Sequence, residues 1–119
     1  MLQALGARRV WVKDDSGNPT HSFKDRVVAV AQSAARRLGL GTIACVSTGN
    51  LAGAVAAAAA RGGQKSVVVI PADLEDGKVV TAATYGGTLL AVNGTYDDVN
   101  RLCSQVADRF GFWQDVKVA

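Results

Sequence analysis

The stretch TIACVSTGNLAGAVAAAAARGG, residues 42–63, contains a complete strand, turn and helix. Residues 42–47 form a short apolar run, which is typical of a buried strand. A helix is predicted from about Asn50 to Arg61, and Gly62-Gly63 ends it. The alanine content of this helix indicates close packing against a sheet. A buried strand followed by a helix of this length is one repeat of a parallel α/β fold.

The same alternation of strand-like and helix-period segments extends along the chain. Strands are predicted at 8–13, 42–47, 66–70 and 88–92 and in FWQDV (112–116), and helices at about 23–38, 50–61, 74–85 and 96–110. These connections imply right-handed crossovers and a three-layer, doubly wound parallel sheet of four to five strands, Rossmann- or flavodoxin-like. Such a sheet binds ligands at the carboxyl ends of its strands. The candidate site loops therefore follow Lys13, Ser47, Ile70 and Val92.

The composition is that of an ordinary globular domain. The 119 residues suit one domain with one core, and 49% of them are hydrophobic and 19% charged. The formal net charge is +3, but the basic residues are scattered among acids, so no nucleic-acid partner is expected. No run reaches the roughly 18 apolar residues of a membrane helix, so no membrane partner is expected.

The two cysteines, Cys45 and Cys103, lie inside predicted elements and lack CxxC spacing. This pattern indicates buried thiols in a reducing, cytoplasmic compartment rather than a disulfide. A metal site is not expected, because His21 is the only histidine.

The segment PTHSFKDR, residues 19–26, places a lysine in the first turn of a predicted helix. Ser22 is a natural N-cap, and Asp25 gives a variant of the capping box. At about 100° per residue Arg26 falls on the polar side, whereas Lys24 shares the apolar stripe. The stripe consists of Val28, Ala31, Ala35 and Leu38. Desolvation there favours the neutral, nucleophilic amine. The alternative is that Lys24 extends from the rim of the stripe to water.

The turn between residues 47 and 50 is a second candidate site. Gly49 lets the backbone approach a ligand closely, and Asn50 offers both a donor and an acceptor. The free N–H groups and positive dipole end of the following helix suit a carboxylate or another anion. The alternative is that STGN is only a capped βα loop.

Together, NPTHSFKDR (18–26) and STGNLAGAVAAAA (47–59) resemble the pyridoxal-phosphate (PLP) enzymes of the tryptophan-synthase-β fold type. GNPTHSFKDR (17–26) and YGGTLLAVNGTYDDVNRLC (85–103) are most similar to the threonine synthases of that family. The resemblance covers about residues 7–113. It implies a lyase of threonine biosynthesis that converts O-phospho-L-homoserine and water to L-threonine and phosphate with PLP. The alternatives are a serine/threonine dehydratase-like or cysteine synthase-like enzyme, or a non-catalytic, self-associating α/β module.

The resemblance also implies roles for individual residues. Lys24 binds PLP covalently and then moves protons at the α and β carbons of the substrate. Asn50 hydrogen-bonds the ring hydroxyl of PLP. Phe23 packs near the cofactor, with a plain core role as the alternative. The substrate carboxylate is received by Ser47, Thr48 and the backbone around Gly49.

The sequence departs from the family in its length. Family members are several times longer and bind the PLP phosphate with a glycine-rich loop downstream of the STGN turn. No such loop follows here, since the glycines of YGGT lie between a helix and a strand and serve as a C-cap. Residues 1–119 are thus predicted to be a single α/β domain and a fragment. Residues 1–40 would hold a strand and the lysine helix, and 41–113 the smaller domain, without the rest of the larger domain. The chain alone is expected to be inactive and to self-associate, for example as a homodimer.

Overall fold

The computed structural model of the chain describes residues 8–73, 80–111 and 113–117, together with Ala4 and Gly6. The helices are α1 (Lys24–Arg37), α2 (Asn50–Gly62), α3 (Val80–Thr84) and α4 (Tyr96–Phe110). The strands are β1 (Thr42–Val46), β2 (Lys65–Pro71), β3 (Thr88–Val92) and β4 (Gln114–Asp115). These elements confirm the predicted alternation from residue 23 onward. The first part of the third predicted helix, residues 74–79, lies outside the described residues.

The four strands form one parallel sheet in the order β3-β2-β1-β4. Ala44 of β1 is opposite both Val67 of β2 and Asp115 of β4. The chain moves outward from β1 to β3 and then returns through α4 to the far side of β1. This reversal makes the carboxyl ends of β1 and β4 a topological switch point, where parallel sheets bind ligands. The predicted α/β fold class is confirmed.

The sheet is covered on both faces, which explains its continuously apolar strands. Side chains alternate between the faces, because the period of a strand is two residues. On one face, residues of α1, α2 and α3 pack against the sheet around Val28, Ile43, Cys45, Val55, Val68 and Ala82. On the other face, α4 packs around Ala44, Val46, Val69, Val99, Cys103 and Trp113. The helices and the sheet therefore form three layers.

The α2 helix contains the longest run of successive buried residues among the described elements. All nine side-chain positions from Leu51 to Ala59 are buried. The helix ends at Gly63, whose φ of 66° is the left-handed conformation typical of a C-cap. The α4 helix begins with the predicted capping box, in which Thr95 and Asp98 each accept from the other's backbone N–H.

The two cysteines are free and buried on opposite faces of the sheet. Burial is the largest cause that raises the pKa of the Cys45 thiol to about 12. Burial likewise raises the pKa of the Cys103 thiol to about 12, with a further contribution from the Asp115 carboxylate. Both thiols therefore stay protonated at neutral pH. In the described part of the chain, no helix is long and apolar enough to cross a membrane.

The strand predicted at residues 8–13 is wrong. This segment forms no strand in the structure, and Trp11 is 88% and Val12 79% exposed. β-Branched and aromatic residues favour a strand only where a neighbouring strand can pair with them. Among the described residues no strand pairs with this segment. Leu38 also differs from expectation, because α1 ends at Arg37 and leaves Leu38 69% exposed.

Candidate active site

A loop clamped by hydrogen bonds leads into the first turn of α1, where Lys24 lies. The Asp15 carboxylate accepts from the Arg26 guanidinium at 2.8 and 3.1 Å. The Asp25 carboxylate accepts from the backbone N–H of Thr20 at 2.8 Å and from its hydroxyl at 2.9 Å. Contacts on two sides of the helix therefore fix the direction from which the chain enters α1.

The cap of α1 differs in detail from the predicted capping box. The helix begins after Phe23, and the Ser22 hydroxyl accepts from the backbone N–H of Lys24 at 3.2 Å. Asp25 reaches back to Thr20 instead of pairing with Ser22. His21 has a φ of 57° and is the one non-glycine residue with positive φ in the described ranges. Its ring Nδ1 lies 2.7 Å from the carbonyl oxygen of Ser16, which holds this turn together.

A cleft of about 530 Å³ opens at the switch point of the sheet. This volume lies within the range of roughly 300–1,000 Å³ that is usual for small-molecule sites. Its walls come from the start of α1, the end of β1, the start of α2, the start of α4 and the residues around β4. The lining residues are Lys24, Val46, Ser47, Asn50, Leu51, Tyr96, Asn100, Val116 and Lys117.

The structure brings together three of the predicted site residues. Lys24 and Ser47 are half-buried, and both line the cleft with the exposed Asn50. Thr48 and Gly49 lie on the same turn but are not among the residues that line the cleft. Phe23 does not line it either and does not lie in the core, being 56% exposed. Its ring centroid is 4.7 Å from Lys24 Nζ, a cation–π distance.

The polar groups at this end of the cleft are available to a ligand. Lys24 Nζ makes no hydrogen bond or ion pair with any residue that the structure describes, and the same holds for the Asn50 side chain. Gly49 is the N-cap of α2, and no side chain caps the amides of its first turn. The Ser47 hydroxyl accepts from Gly49 N–H at 3.2 Å. An amine, a carboxamide and uncapped helix amides thus share this edge of the sheet.

Sequence reasoning missed the residues of α4 and those just after β4 that line the cleft. The Tyr96 hydroxyl donates to the carbonyl oxygen of Val46, the last residue of β1, at 3.1 Å. Asn100 lies one helical turn after Tyr96, and Lys117 follows β4. A partial signal existed, because the loop after Val92 was a candidate site loop and leads directly into α4. The sequence does not give the order of the strands in the sheet. The strand against which α4 packs could therefore not be inferred.

The family model for the "pyridoxal-phosphate dependent enzyme" matches residues 1–114. The chain belongs to this family. Two threonine synthases are similar to this member over most of its length. The protein from Methanosarcina acetivorans is 40% identical over an alignment of 110 residues, and the match covers 88% of the chain and 27% of that relative. The protein from Methanocaldococcus jannaschii is 38% identical over 104 residues, 87% of the chain and 26% of that relative.

A solved structure of the apo form of diaminopropionate ammonia lyase from Escherichia coli is also similar to this PLP-family chain. The two structures match with a TM-score of 0.71 and 28% sequence identity. The match covers 88% of this chain and 32% of the ammonia lyase chain. The chain therefore spans about a quarter of the length of the curated relatives and about a third of this structural neighbour.

The residues of the cleft fit the cofactor of the family. PLP requires a primary amine to hold its aldehyde carbon, and Lys24 presents one that is not engaged by any described carboxylate. Asn50 presents an unbonded carboxamide to the same cleft, as a ring hydroxyl would need. The cleft opens at the switch point, so a ligand can enter without movement of the sheet.

Replacing Gly49 with alanine tests whether this backbone must approach a ligand closely. A Cβ built at Gly49 meets no atom within 4 Å, and its φ of −135° is accessible to alanine. We expect the free energy of unfolding to change by less than about 1 kcal/mol. Affinity for the carboxylate that this turn is expected to receive, measured by NMR titration with L-homoserine, should fall about tenfold or more, equal to about 1.4 kcal/mol. The control is Gly41→Ala, which also enters open space, at the other end of β1. Equal affinity for L-homoserine in the two variants would contradict the prediction.

Replacing Arg26 with glutamine should remove the hydrogen bonds by which its guanidinium holds Asp15, in the loop before α1. The hydrogen bond from Arg26 is the largest cause that lowers the pKa of Asp15 from 3.8 to about 2. The stabilising contribution of Asp15 is therefore complete above pH 3.8 and is lost as the pH falls through about 2. In Arg26→Gln the pKa of Asp15 should rise toward 3.8, although Lys13 still contacts it. Carboxyl ¹³C NMR titration measures the pKa of Asp15 in the parent chain and in Arg26→Gln. An unchanged pKa would show that Arg26 does not hold the Asp15 carboxylate.

Proposed function

We propose that the chain is the lysine-bearing part of a cytoplasmic threonine synthase, which converts O-phospho-L-homoserine and water to L-threonine and phosphate. One observation carries this proposal: Lys24, Ser47 and Asn50 line the same cleft at the switch point of the sheet. The similarity to threonine synthases supports the choice of reaction. Activity would belong to a complete enzyme about four times longer, and this chain alone would be inactive or nearly so.

In that enzyme Lys24 would hold PLP covalently through its amine, and Asn50 would hydrogen-bond the hydroxyl of the ring. PLP, when bound, supplies an electron sink that stabilises negative charge on the substrate carbons. The amine of Lys24, once free and neutral, would move protons at the α and β carbons of the substrate. Phe23 would limit the motion of the Lys24 side chain through the contact at 4.7 Å.

The substrate carboxylate would bind at the turn before α2. The uncapped amides of the first turn and the positive end of the helix dipole both favour an anion there. Ser47 and Thr48 would add hydroxyl donors, and the backbone of Gly49 would come close to the carboxylate. Because α2 is buried along nine positions, this turn would stay fixed while the substrate reacts.

The experiment that tests the proposal is covalent mapping of PLP on the chain. PLP is added, the absorbance spectrum is recorded, and borohydride reduction is followed by peptide mapping. We expect slow, weak labelling with Lys24 as the main site, since the family's phosphate-binding loop does not occur among these residues. The control site is Lys65, an exposed lysine at the opposite end of the sheet. Equal labelling of the two lysines would contradict the role of Lys24. Micromolar affinity would contradict the need for the loop.

The reaction itself is tested in a chimera. Residues 8–113 would replace the matching segment of the Methanosarcina acetivorans threonine synthase. We expect the chimera to form threonine from O-phospho-L-homoserine. A serine/threonine dehydratase-like enzyme would instead form a 2-oxo acid from serine or threonine, and a cysteine synthase-like one would need a sulfur nucleophile. The structural likeness to an ammonia lyase makes these assays necessary, because the scaffold supports other reactions.

The chain alone is also expected to self-associate. Trp11, Val12 and Val30 are each more than 70% exposed and offer apolar surface that a second copy of the chain could cover. Sedimentation velocity at several protein concentrations measures this association. We expect the mean sedimentation coefficient to rise with concentration and the rise to diminish in Trp11→Ser. A single monomeric species at every concentration would contradict the prediction.

A further inference from the structure

The α4 helix presents one polar side to the Lys24 cleft. Val99 and Cys103, which are 0% and 1% exposed, pack against the sheet and fix the rotation of the helix. Tyr96 and Asn100 are four residues apart and therefore lie on one face, and this face lines the cleft. The α4 helix is thus a second wall, placed across from the turn that carries Ser47 and Asn50.

The Tyr96 hydroxyl fixes the position of this second wall. It donates to the carbonyl oxygen of Val46 at 3.1 Å, one residue before Ser47. The first turn of α4 is thereby joined to the end of β1, from which the opposite wall begins. The capping box of Thr95 and Asp98 holds the same turn from its other side. Tyr96 is therefore a positioning residue for the width of the cleft.

The Asn100 carboxamide has the properties of a ligand-binding group. The residue is half-buried, and its side chain makes no hydrogen bond to any part of the chain that the structure describes. Its backbone carbonyl is already engaged by the Ser104 hydroxyl at 3.0 Å. Its carboxamide is therefore free to donate to a ligand that enters the cleft.

The charges of the cleft determine which ligand atom suits Asn100. The lining residues that the structure describes include two lysines and no carboxylate. Lys117 is paired with Asp115 at 3.5 Å, whereas Lys24 makes no ion pair with a described residue. An anionic oxygen would be attracted to the uncompensated charge, and the carboxamide N–H of Asn100 can donate to it.

We propose that Asn100 binds an anionic oxygen of the small-molecule ligand, across the cleft from the Ser47–Asn50 turn. The inference rests on the proposed function only for the identity of the substrate. The oxygen belongs either to a phosphate or to a carboxylate, which share this chemistry.

The test is an NMR titration of the ¹⁵N-labelled chain without PLP. The side-chain amide signals of Asn100 are followed during addition of O-phospho-L-homoserine, L-homoserine and inorganic phosphate in separate experiments. We expect the Asn100 signals to move with O-phospho-L-homoserine. A similar effect of inorganic phosphate would assign the oxygen to the phosphate, and a similar effect of L-homoserine would assign it to the carboxylate.

The decisive comparison uses two variants, in each of which a side-chain amide is replaced by a carboxylate. Asn100→Asp replaces the donor by a carboxylate of almost the same shape, and should raise the Kd for O-phospho-L-homoserine at least about tenfold. Gln105→Glu makes the corresponding change on an exposed position of α4 and should leave the Kd unchanged. The proposal is overturned if the Asn100 signals do not move with any probe, or if the two variants bind equally tightly. Because PLP is absent, this result is independent of whether Lys24 holds the cofactor.

Discussion

Lys24→Arg should retain the fold and lose covalent attachment of PLP. Arginine keeps the positive charge and a long apolar stem, so the start of α1 and the contact with Phe23 are preserved. Fewer than about one guanidinium in 100,000 is neutral at pH 7, so attack on the aldehyde of PLP should be undetectable. The measurement is the absorbance of the PLP adduct and the borohydride-reduced peptide, together with threonine formation by the chimera.

Two further observations make this expectation decisive. Circular dichroism and urea unfolding should give the same curve for Lys24→Arg and the parent chain, because Lys24 makes no ion pair with any described residue. Lys65→Arg, the matched change at the far end of the sheet, should label as the parent does. If Lys24→Arg still formed a reducible adduct at the same rate, another lysine would have to hold the cofactor.

Ile43→Ala should cause a large loss of stability. Ile43 is among the largest fully buried side chains, with 0% exposure, and belongs to the core between the sheet and α2. It lies in the central strand, opposite Ser66 of β2 and Gln114 of β4. Removing three of its four side-chain carbons should lower the free energy of unfolding by about 2–5 kcal/mol, through lost burial and the cavity that remains. The whole free energy of unfolding of a small domain is only about 5–15 kcal/mol, so this loss would be a large share of it.

The loss is measured by urea unfolding followed by circular dichroism. Ile43→Val removes one methyl group at the same position and should cost only about 0.5–1.5 kcal/mol. Should the alanine variant fail to fold, the valine variant still tests the packing. Equal stability of the alanine variant and the parent chain would show that the sheet and α2 do not enclose this position.

Much of the fold could be predicted because the signals were local. The strands 42–47, 66–70 and 88–92 are apolar runs between turn residues, and their bounds agree with β1, β2 and β3 to within one residue at each end. The last helix begins at its capping box and ends at Gly111 as predicted. Residues 8–13 have the same local signal, but strand formation depends on a partner strand, and their composition carries no information about one.

The candidate site was predicted only in part, because again only the local signals could be used. Lys24 was placed by the helix period and Asn50 by the turn before a helix, and both lie at the cleft. Tyr96 and Asn100 reach it only because α4 returns the chain to the far side of β1. The pairing of β4 with β1 is a contact over about seventy residues, set by packing of the whole domain. Helix periodicity gives the face of α4 but not the strand that it covers.

The enclosure of α2 limits how sequences with this fold can diverge. Its nine successive buried positions include seven that hold alanine or glycine, and Gln32 of α1 donates to the carbonyl oxygen of Ala58 at 2.6 Å. Methyl-sized side chains therefore act as the spacer that sets the distance between neighbouring helix axes. A bulkier residue at a position that faces α1 would push α1 aside, and with it the lysine at its start. Neutral drift would therefore accumulate on the outer surfaces of α1 and α4, while the interior of α2 stays restricted to the smallest residues.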